Sequence, residues 1–295
     1  MKTVPAKTIL QKNKSADWFG SDYNMNLYKG CCHGCIYCDS RSDCYQLKDF
    51  ETVRAKENCL QILRDELRRK VRTGIVGTGA MCDPYNPFEE TEQLTRHSLE
   101  LLDAFGFGVH VLTKRSLIAR DADVFQGIAE HSPVLCQVTV TAAEDRLSKL
   151  VEPNVSVTSE RLEAIAKMSE SGLFTGVVMT PLLPFIEDTE ENVLGIVRMA
   201  KECGARSVYP MFGLTMRSGQ REYFYKKLGE NFPNSGLAER YAKTYGERYV
   251  CNSPHIKRLW KVFTEECQRL GLTYEMRDII ASYKLGYGDS QLSFF

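Results

Sequence analysis

After residue 50 the hydrophobic pattern of the chain switches repeatedly between two periods. Leu60, Leu63, Leu67 and Val71 recur at spacings of three and four, the signature of a helix. Residues 74–81 then form a short run of small and β-branched residues, ending in the turn-rich CDPYNP. Leu94, Leu101, Leu102 and Phe105 mark a second helix, stopped by Gly106. Residues 109–114 (VHVLTK) read as a strand, 121–130 as a helix and 134–140 (VLCQVTV) as a strand. Leu162, Ile165 and Ala166 lie on the next helix, 174–179 (FTGVVM) on a strand, and Val193, Ile196, Val197 and Ala200 on a helix ended by Gly204. Residues 207–212 (SVYPMF) are strand-like, though Pro210 weakens them. An initial strand at 23–28 brings the series to six units. Such alternation implies a parallel sheet built from βαβ crossovers.

That pattern leaves two architectures, a barrel-like arrangement and an open doubly wound sheet. Both place function at the carboxyl ends of the strands. The suspect positions are therefore 31–38, 82–84, Lys114, 139–141 and 179–181. The rhythm breaks after about residue 213, in a tail rich in Tyr, Lys and Arg. One helix there carries Ile256, Leu259, Trp260, Phe263, Cys267 and Leu270 on one face. No Gly/Ser-rich linker precedes it, so it is expected to pack on the body of the fold. The expected organisation is an N-terminal extension over 1–20, the repeating body over 21–213 and a C-terminal extension over 214–295.

Composition narrows the class. The chain has 295 residues, 43% of them apolar, enough for a sizeable core. Its 38 basic and 38 acidic residues balance, unlike those of a strongly basic nucleic-acid binder, though a local basic groove remains compatible. No apolar stretch approaches the ~20 residues of a membrane span. The polar start lacks an apolar signal core, so a cytoplasmic location is expected. Eleven cysteines in such a chain point to metal binding or redox chemistry more than to disulfides. Cys59, Cys136, Cys203 and Cys267 sit in periodic apolar segments and read as small buried hydrophobes.

The remaining cysteines include a cluster, YKGCCHGCIYCD, at 28–39. Cys31, Cys35 and Cys38 form C-x3-C-x2-C, with Cys32 as a near-duplicate. Gly30 and Gly34 allow tight turns around a bound group. Tetrahedral zinc would want a fourth ligand, which Cys44 or His33 could supply, but there is no second CxxC or HxxxH pair. Three thiolates and an open position suit a [4Fe–4S] cluster with one unprotected iron. Spacing alone leaves cluster, zinc and thiol redox chemistry open.

C-x3-C-x2-C, with Tyr37 just before the last cysteine and after a first strand, resembles the signature of the radical S-adenosylmethionine (SAM) superfamily. That resemblance implies an α/β fold, a partial (β/α)6 TIM-like barrel carrying a helical C-terminal extension. It also implies a [4Fe–4S] cluster on Cys31, Cys35 and Cys38, with Cys32 a bystander. The open iron would chelate SAM, and an electron from a donor such as flavodoxin or ferredoxin would cleave it to a 5′-deoxyadenosyl radical. Five stretches in order, YKGCCHGCIYC, GTGAMCDPYNPFEE, VLTKRSLIARD, VTVTAAEDRLSKLVEPNVSVTSERLEAI and GVVMTPLLPFIED, resemble the spore photoproduct lyase-like family. The lyase itself repairs a thymine dimer in DNA.

The resemblance implies roles for single residues, each with a plainer alternative. Lys114 would neutralise the SAM carboxylate, or else be a solvated lysine opening a loop. Thr139 would turn its hydroxyl to SAM, or simply be a strand threonine. Asp83 would hydrogen-bond SAM or brace its own turn, and Tyr37 would pack beside the cluster with its backbone near the adenine. Cys82 would return hydrogen to the product radical, or line the pocket as a small residue. Asn86, Glu89 and Glu90 read as helix caps. Arg217, Arg221, Lys226, Lys227 and Arg240, interleaved with Tyr223, Phe224 and Tyr225, read as an amphipathic helix or a nucleic-acid face. The final QLSFF, from Gln291 to Phe295, resembles the peptide that docks bacterial proteins on the DNA polymerase sliding clamp. The combined expectation is a lyase-like radical SAM enzyme with DNA as the favoured substrate. RNA, a peptide or a small metabolite is the alternative substrate, and a metal-binding clamp adaptor the alternative class.

Overall fold

The computed structural model describes residues 1–47, 49–79 and 81–287. Lys48, Ala80 and the QLSFF segment lie outside the described residues. Six strands pair in parallel: β1 Tyr23–Met25, β2 Ile75–Gly77, β3 Gly108–Thr113, β4 Val134–Thr139, β5 Thr175–Met179 and β6 Ser207–Pro210. Their spatial order follows their sequence order, and Leu10–Lys12 adds an antiparallel edge beside β1. A doubly wound sheet would reverse direction part-way. This sheet never does, so the barrel-like alternative holds: the fold is a partial TIM-like barrel.

The sequence makes these strands because both of their faces are covered. In β4 every residue is buried. Val134, Cys136 and Val138 join the core beneath the helices, whereas Leu135 belongs to the apolar cluster inside the barrel. Strands buried on both faces read as near-continuous apolar runs, as VLCQVTV does. Five helices follow the strands or precede them: α1 Cys59–Arg68, α2 Leu94–Ala104, α3 Ala122–Ala129, α4 Thr158–Glu170 and α5 Glu190–Glu202. Each presents its apolar stripe to the sheet.

Several boundaries differ from expectation. Helix α1 stops at Arg68, leaving Val71 80% exposed in the turn beyond it. The run expected as one strand over 23–28 is divided. Tyr28–Lys29 leaves the barrel and pairs with Arg54–Lys56, which also pairs with Lys2–Val4. An unanticipated short helix, Asp145–Val151, precedes α4. Pro210 is accommodated because β6 is an edge strand.

Beyond β6 come α6 Gln220–Asn231, α7 Leu237–Tyr245, α8 Ile256–Leu270 and α9 Met276–Tyr283. Phe224 and Tyr241, from α6 and α7, share a core cluster with Ile36 and Tyr37 of the cysteine loop. On α6 Phe224 is buried and Arg221 donates to Arg248 O at 2.9 Å, whereas Lys226 is exposed. Ile279 and Tyr283 of α9, with Phe19, join Ile75, Leu135 and Val178 as an apolar plug inside the barrel. Among the described residues no helix is long and apolar enough to cross a membrane.

Above this plug sits a polar layer. His110 on β3 is buried, with Nε2 2.8 Å from Gln137 Oε1 and Nδ1 3.3 Å from Ser21 Oγ. Gln137 Oε1 can only accept, so Nε2 carries the proton and Nδ1 accepts from Ser21. Burial pushes the imidazole pKa down from 6.5 to about 4, against the opposing hydrogen bond to Gln137. The unfolded chain therefore binds a proton between pH 6.5 and 4 that the folded chain refuses, and stability falls as pH drops through that window. The expected loss at pH 4.5 relative to pH 7 from this residue is about 2–3 kcal/mol. Urea unfolding at the two pH values, with His110→Gln as the variant lacking the titration, checks it; an equal acid loss in the variant would refute the assignment.

Candidate active site at the cysteine loop

The loop after Tyr28–Lys29 is stitched to the barrel from three sides. Cys31 N donates to Phe50 O at 2.8 Å. Ile36 N donates to Val151 O at 3.0 Å, and Asn154 contributes two bonds, its N–H to His33 O at 3.1 Å and Nδ2 to Cys32 O at 3.0 Å. From the C-terminal extension, Gln220 Nε2 donates to Tyr37 O at 2.8 Å. Gly30 and Gly34 take φ of 84° and 72°, in the left-handed region that other residues avoid. A Cβ at Gly30 would also lie 2.7 Å from Phe50 O, and one at Gly34 3.0 Å from Asn154 Nδ2. The glycines are thus required both by backbone direction and by the close approach of the braces.

Beneath the loop lies a buried polar anchor. Tyr37 OH donates to Glu152 Oε1, and Glu152 Oε2 lies 2.6 Å from Arg161 Nη2. Arg161 in turn donates to Thr139 O at 2.7 Å and Ser156 O at 2.7 Å. All three side chains are buried. Burial works against the Glu152 charge, yet Arg161 and Lys114 outweigh it and hold the carboxyl below its usual range.

A cavity of about 240 Å³ opens above this anchor at the carboxyl ends of the strands. Cys31, Cys35 and Cys38 line it, together with Tyr37, Cys82, Asp83, Lys114 and Thr139. The structure thus gathers every site residue singled out in the sequence around one space. Cys32, outside this lining, has its thiol pKa raised mainly by burial, then by Cys31. Among the described residues no three His, Cys, Asp or Glu side chains converge on a point as for a single ion. Cluster ligands need not converge, since each thiolate meets its own iron.

Lys114 follows β3, and no hydrogen bond or ion pair joins its ammonium to any described residue. It faces the ring of Tyr37 at 5.9 Å. Burial disfavours its charge, but Cys35, Glu152 and Asp83 outweigh that and raise its pKa. A half-buried cation with no direct partner among the described residues suits an anion in the cavity. Thr139, 1% exposed at the end of β4, likewise has a hydroxyl that bonds no described residue. Asp83 is differently employed. Oδ1 accepts from Tyr85 N at 2.9 Å and Thr113 Oγ1 at 2.6 Å, and Oδ2 from Lys114 N at 2.8 Å. Its carboxylate braces the turn to the end of β3, the plainer of its two expected roles.

Cys82 and Cys31 line the same cavity, and Cys82 Sγ donates to Asp83 O at 3.6 Å. Interaction with Cys31, then burial, raises the Cys82 pKa, and the same interaction lowers that of Cys31. His33, 2% exposed, has its Nδ1 3.6 Å from Asp83 Oδ2, and Asp83 and Cys31 raise its pKa against burial. Its Nε2 is buried with no partner among the described residues. The sequence showed His33 only as a spare zinc ligand, and Glu152 and Arg161 only inside a family-like stretch. Nothing in the local pattern marks the last two as partners of Tyr37.

The thiols, the partnerless ammonium and the partnerless hydroxyl suit an iron–sulfur cluster beside a small zwitterion. The family profile described as "Radical SAM superfamily" matches residues 25–200. The chain belongs to the radical SAM superfamily. An uncharacterized protein of Mycobacterium tuberculosis is 31% identical over 249 residues, 82% of this chain and 72% of that one. Among solved structures, a variant of spore photoproduct lyase superposes with a TM-score of 0.67 at 14% identity, covering 92% of this chain and 81% of that one. The lyase complexed with a dinucleoside spore photoproduct gives 0.64 at 15% identity, covering 89% and 77%. At that identity the likeness shows a shared fold. Radical SAM enzymes use a [4Fe–4S] cluster and SAM, and the cavity residues fit both.

Removing one member of the Glu152–Arg161 pair leaves the other buried and uncompensated. Glu152→Gln is expected to destabilise the fold by about 3–5 kcal/mol. Urea unfolding at pH 7 measures this; a loss below about 1 kcal/mol would show that Arg161 finds another partner.

Proposed function

We propose that this radical SAM enzyme is lyase-like and abstracts and returns hydrogen at a damaged base in DNA. The single observation carrying the reading is the shared cavity, where Cys31, Cys35 and Cys38 face Lys114, Thr139 and Cys82. Bound there, cluster and SAM would supply reductive cleavage of the sulfonium and a carbon-centred hydrogen abstractor. Cys31, Cys35 and Cys38 are the ligands in this reading. Lys114 offsets the carboxylate of SAM, and the Thr139 hydroxyl adds a hydrogen bond. Tyr37, anchored on Glu152, forms the wall beside the adenine. Asp83 keeps Lys114 in position through the Lys114 N–H. Cys82 keeps a thiol hydrogen in the same wall, where a product radical could take it. A one-electron donor of the flavodoxin or ferredoxin type completes the set. Support for DNA comes from the lyase, a fold neighbour solved with a dinucleoside photoproduct.

Anaerobic reconstitution followed by iron analysis and a SAM-cleavage assay tests the reading. Wild type should hold about four irons and form 5′-deoxyadenosine with a strong reductant. Alanine at Cys31, Cys35 or Cys38 should abolish both. Lys114→Met should keep the iron and raise the Kd for SAM about 10–100-fold, the weight of a charged hydrogen bond. Cys82→Ala should still cleave SAM but yield altered products from ultraviolet-damaged thymine dinucleosides. A wild type that cleaves SAM but leaves every such lesion intact refutes the DNA part alone. A wild type without iron refutes the whole.

A further inference from the structure

The cavity at the cysteine loop is not the largest in the molecule. At the open seam of the barrel, between β6 and the β1 edge, lies another of about 1220 Å³. The two cavities share Gly79 and Leu112 as lining, so they adjoin at that wall. Its size exceeds the ~300–1,000 Å³ usual for small-molecule pockets and suits a segment of a polymer.

Its walls carry uncommitted recognition chemistry. Thr78 is 6% exposed, its N–H is taken by His110 O at 2.9 Å, and its hydroxyl is buried with no partner among the described residues. An orphaned buried hydroxyl costs about 1–3 kcal/mol, an arrangement that a ligand would relieve. The Asn24 side chain, half-buried on the same wall, makes no hydrogen bond with the described residues. An amide presents donor and acceptor side by side, the complement of the imide edge of a pyrimidine. At the rim Trp18 is held edge-on by Phe19 at 4.9 Å and Tyr209 at 5.7 Å, yet remains 49% exposed. Lys14 and Arg277 stand beside it on the surface, Arg277 with only an exposed contact to Asp278 at 3.4 Å. Asp17 is the one carboxylate among the described residues of this lining.

We propose that the seam cavity receives a pyrimidine of a DNA strand, its face on Trp18, its imide edge at Asn24 and Thr78, and its flanking phosphates at Lys14 and Arg277. This placement rests on the DNA reading above and names the residues that would read the base. Aromatic stacking supplies affinity for any base, and the two polar groups supply the preference for an imide.

Fluorescence anisotropy of labelled, ultraviolet-irradiated oligothymidylate on the reconstituted enzyme, without reductant, tests it. Trp18→Ala should weaken binding about tenfold, within the ~1–3 kcal/mol per stacked base. Lys14→Ala with Arg277→Ala should flatten the slope of log K against log salt by about 1.4, two phosphate contacts on a single strand. Thr78→Val should weaken binding without lowering the thermal midpoint, because it removes an unpartnered hydroxyl. Thermal midpoints of all variants separate lost binding from lost folding. Wild-type affinity and slope in all the variants would overturn the placement while the DNA reading stands. A wild type that binds no oligonucleotide would overturn both. Equal affinity for oligouridylate would transfer the strand to RNA and overturn the DNA assignment.

Discussion

Everything at the active end of this protein rests on the buried contact between Arg161 and Glu152. The pair lies 2.6 Å apart, away from water, where a lone charge could not survive. Glu152 accepts from Tyr37 of the cysteine loop, and Arg161 donates to the carbonyl of Thr139 at the end of β4. One ion pair therefore sets the loop that carries the thiols against the strand that carries the hydroxyl. The hydrogen bonds from Ile36 and Asn154 to and from the same neighbourhood repeat that constraint in the backbone.

The electrostatics above the anchor follow from this placement. Thiols and carboxylates crowd one rim, and Lys114 is the cation that enters from β3. Its charge persists despite burial because Cys35, Glu152 and Asp83 surround it. The interaction between Cys82 and Cys31 raises the pKa of the first and lowers that of the second. Two adjacent cysteines can hold different states because their environments, not their chemistry, differ.

The C-terminal region contributes on two fronts. Residues of α6 and α7 pack on Ile36 and Tyr37, while Leu214 and Thr215 line the thiol cavity. Helix α9, with Phe19, fills the far end of the barrel and also borders the seam. An incomplete barrel has an open flank by construction. Here that flank carries a half-exposed indole and polar groups that bond no described residue.

The sequence by itself determined the alternation of strand and helix, because burial on both faces of a parallel sheet leaves continuous apolar runs that no surface element would carry. It also determined the thiol loop, since C-x3-C-x2-C with its glycines is local chemistry, and it pointed to Lys114 and Thr139 by their place after strands. It did not reveal that Tyr28 leaves the barrel or that α1 ends before Val71, for pairing and helix ends are decided by neighbours distant in the chain. The order of the strands, and hence barrel over doubly wound sheet, was equally invisible to periodicity. Only the tertiary structure decided that Glu152 and Arg161 meet beneath Tyr37, and that Asp83 spends its carboxylate on Thr113 and Lys114. Glu152 and Arg161 are nine residues apart, but the other contacts span tens of residues, up to 115 between Tyr37 and Glu152, and side chains so far apart are joined by packing, not by pattern.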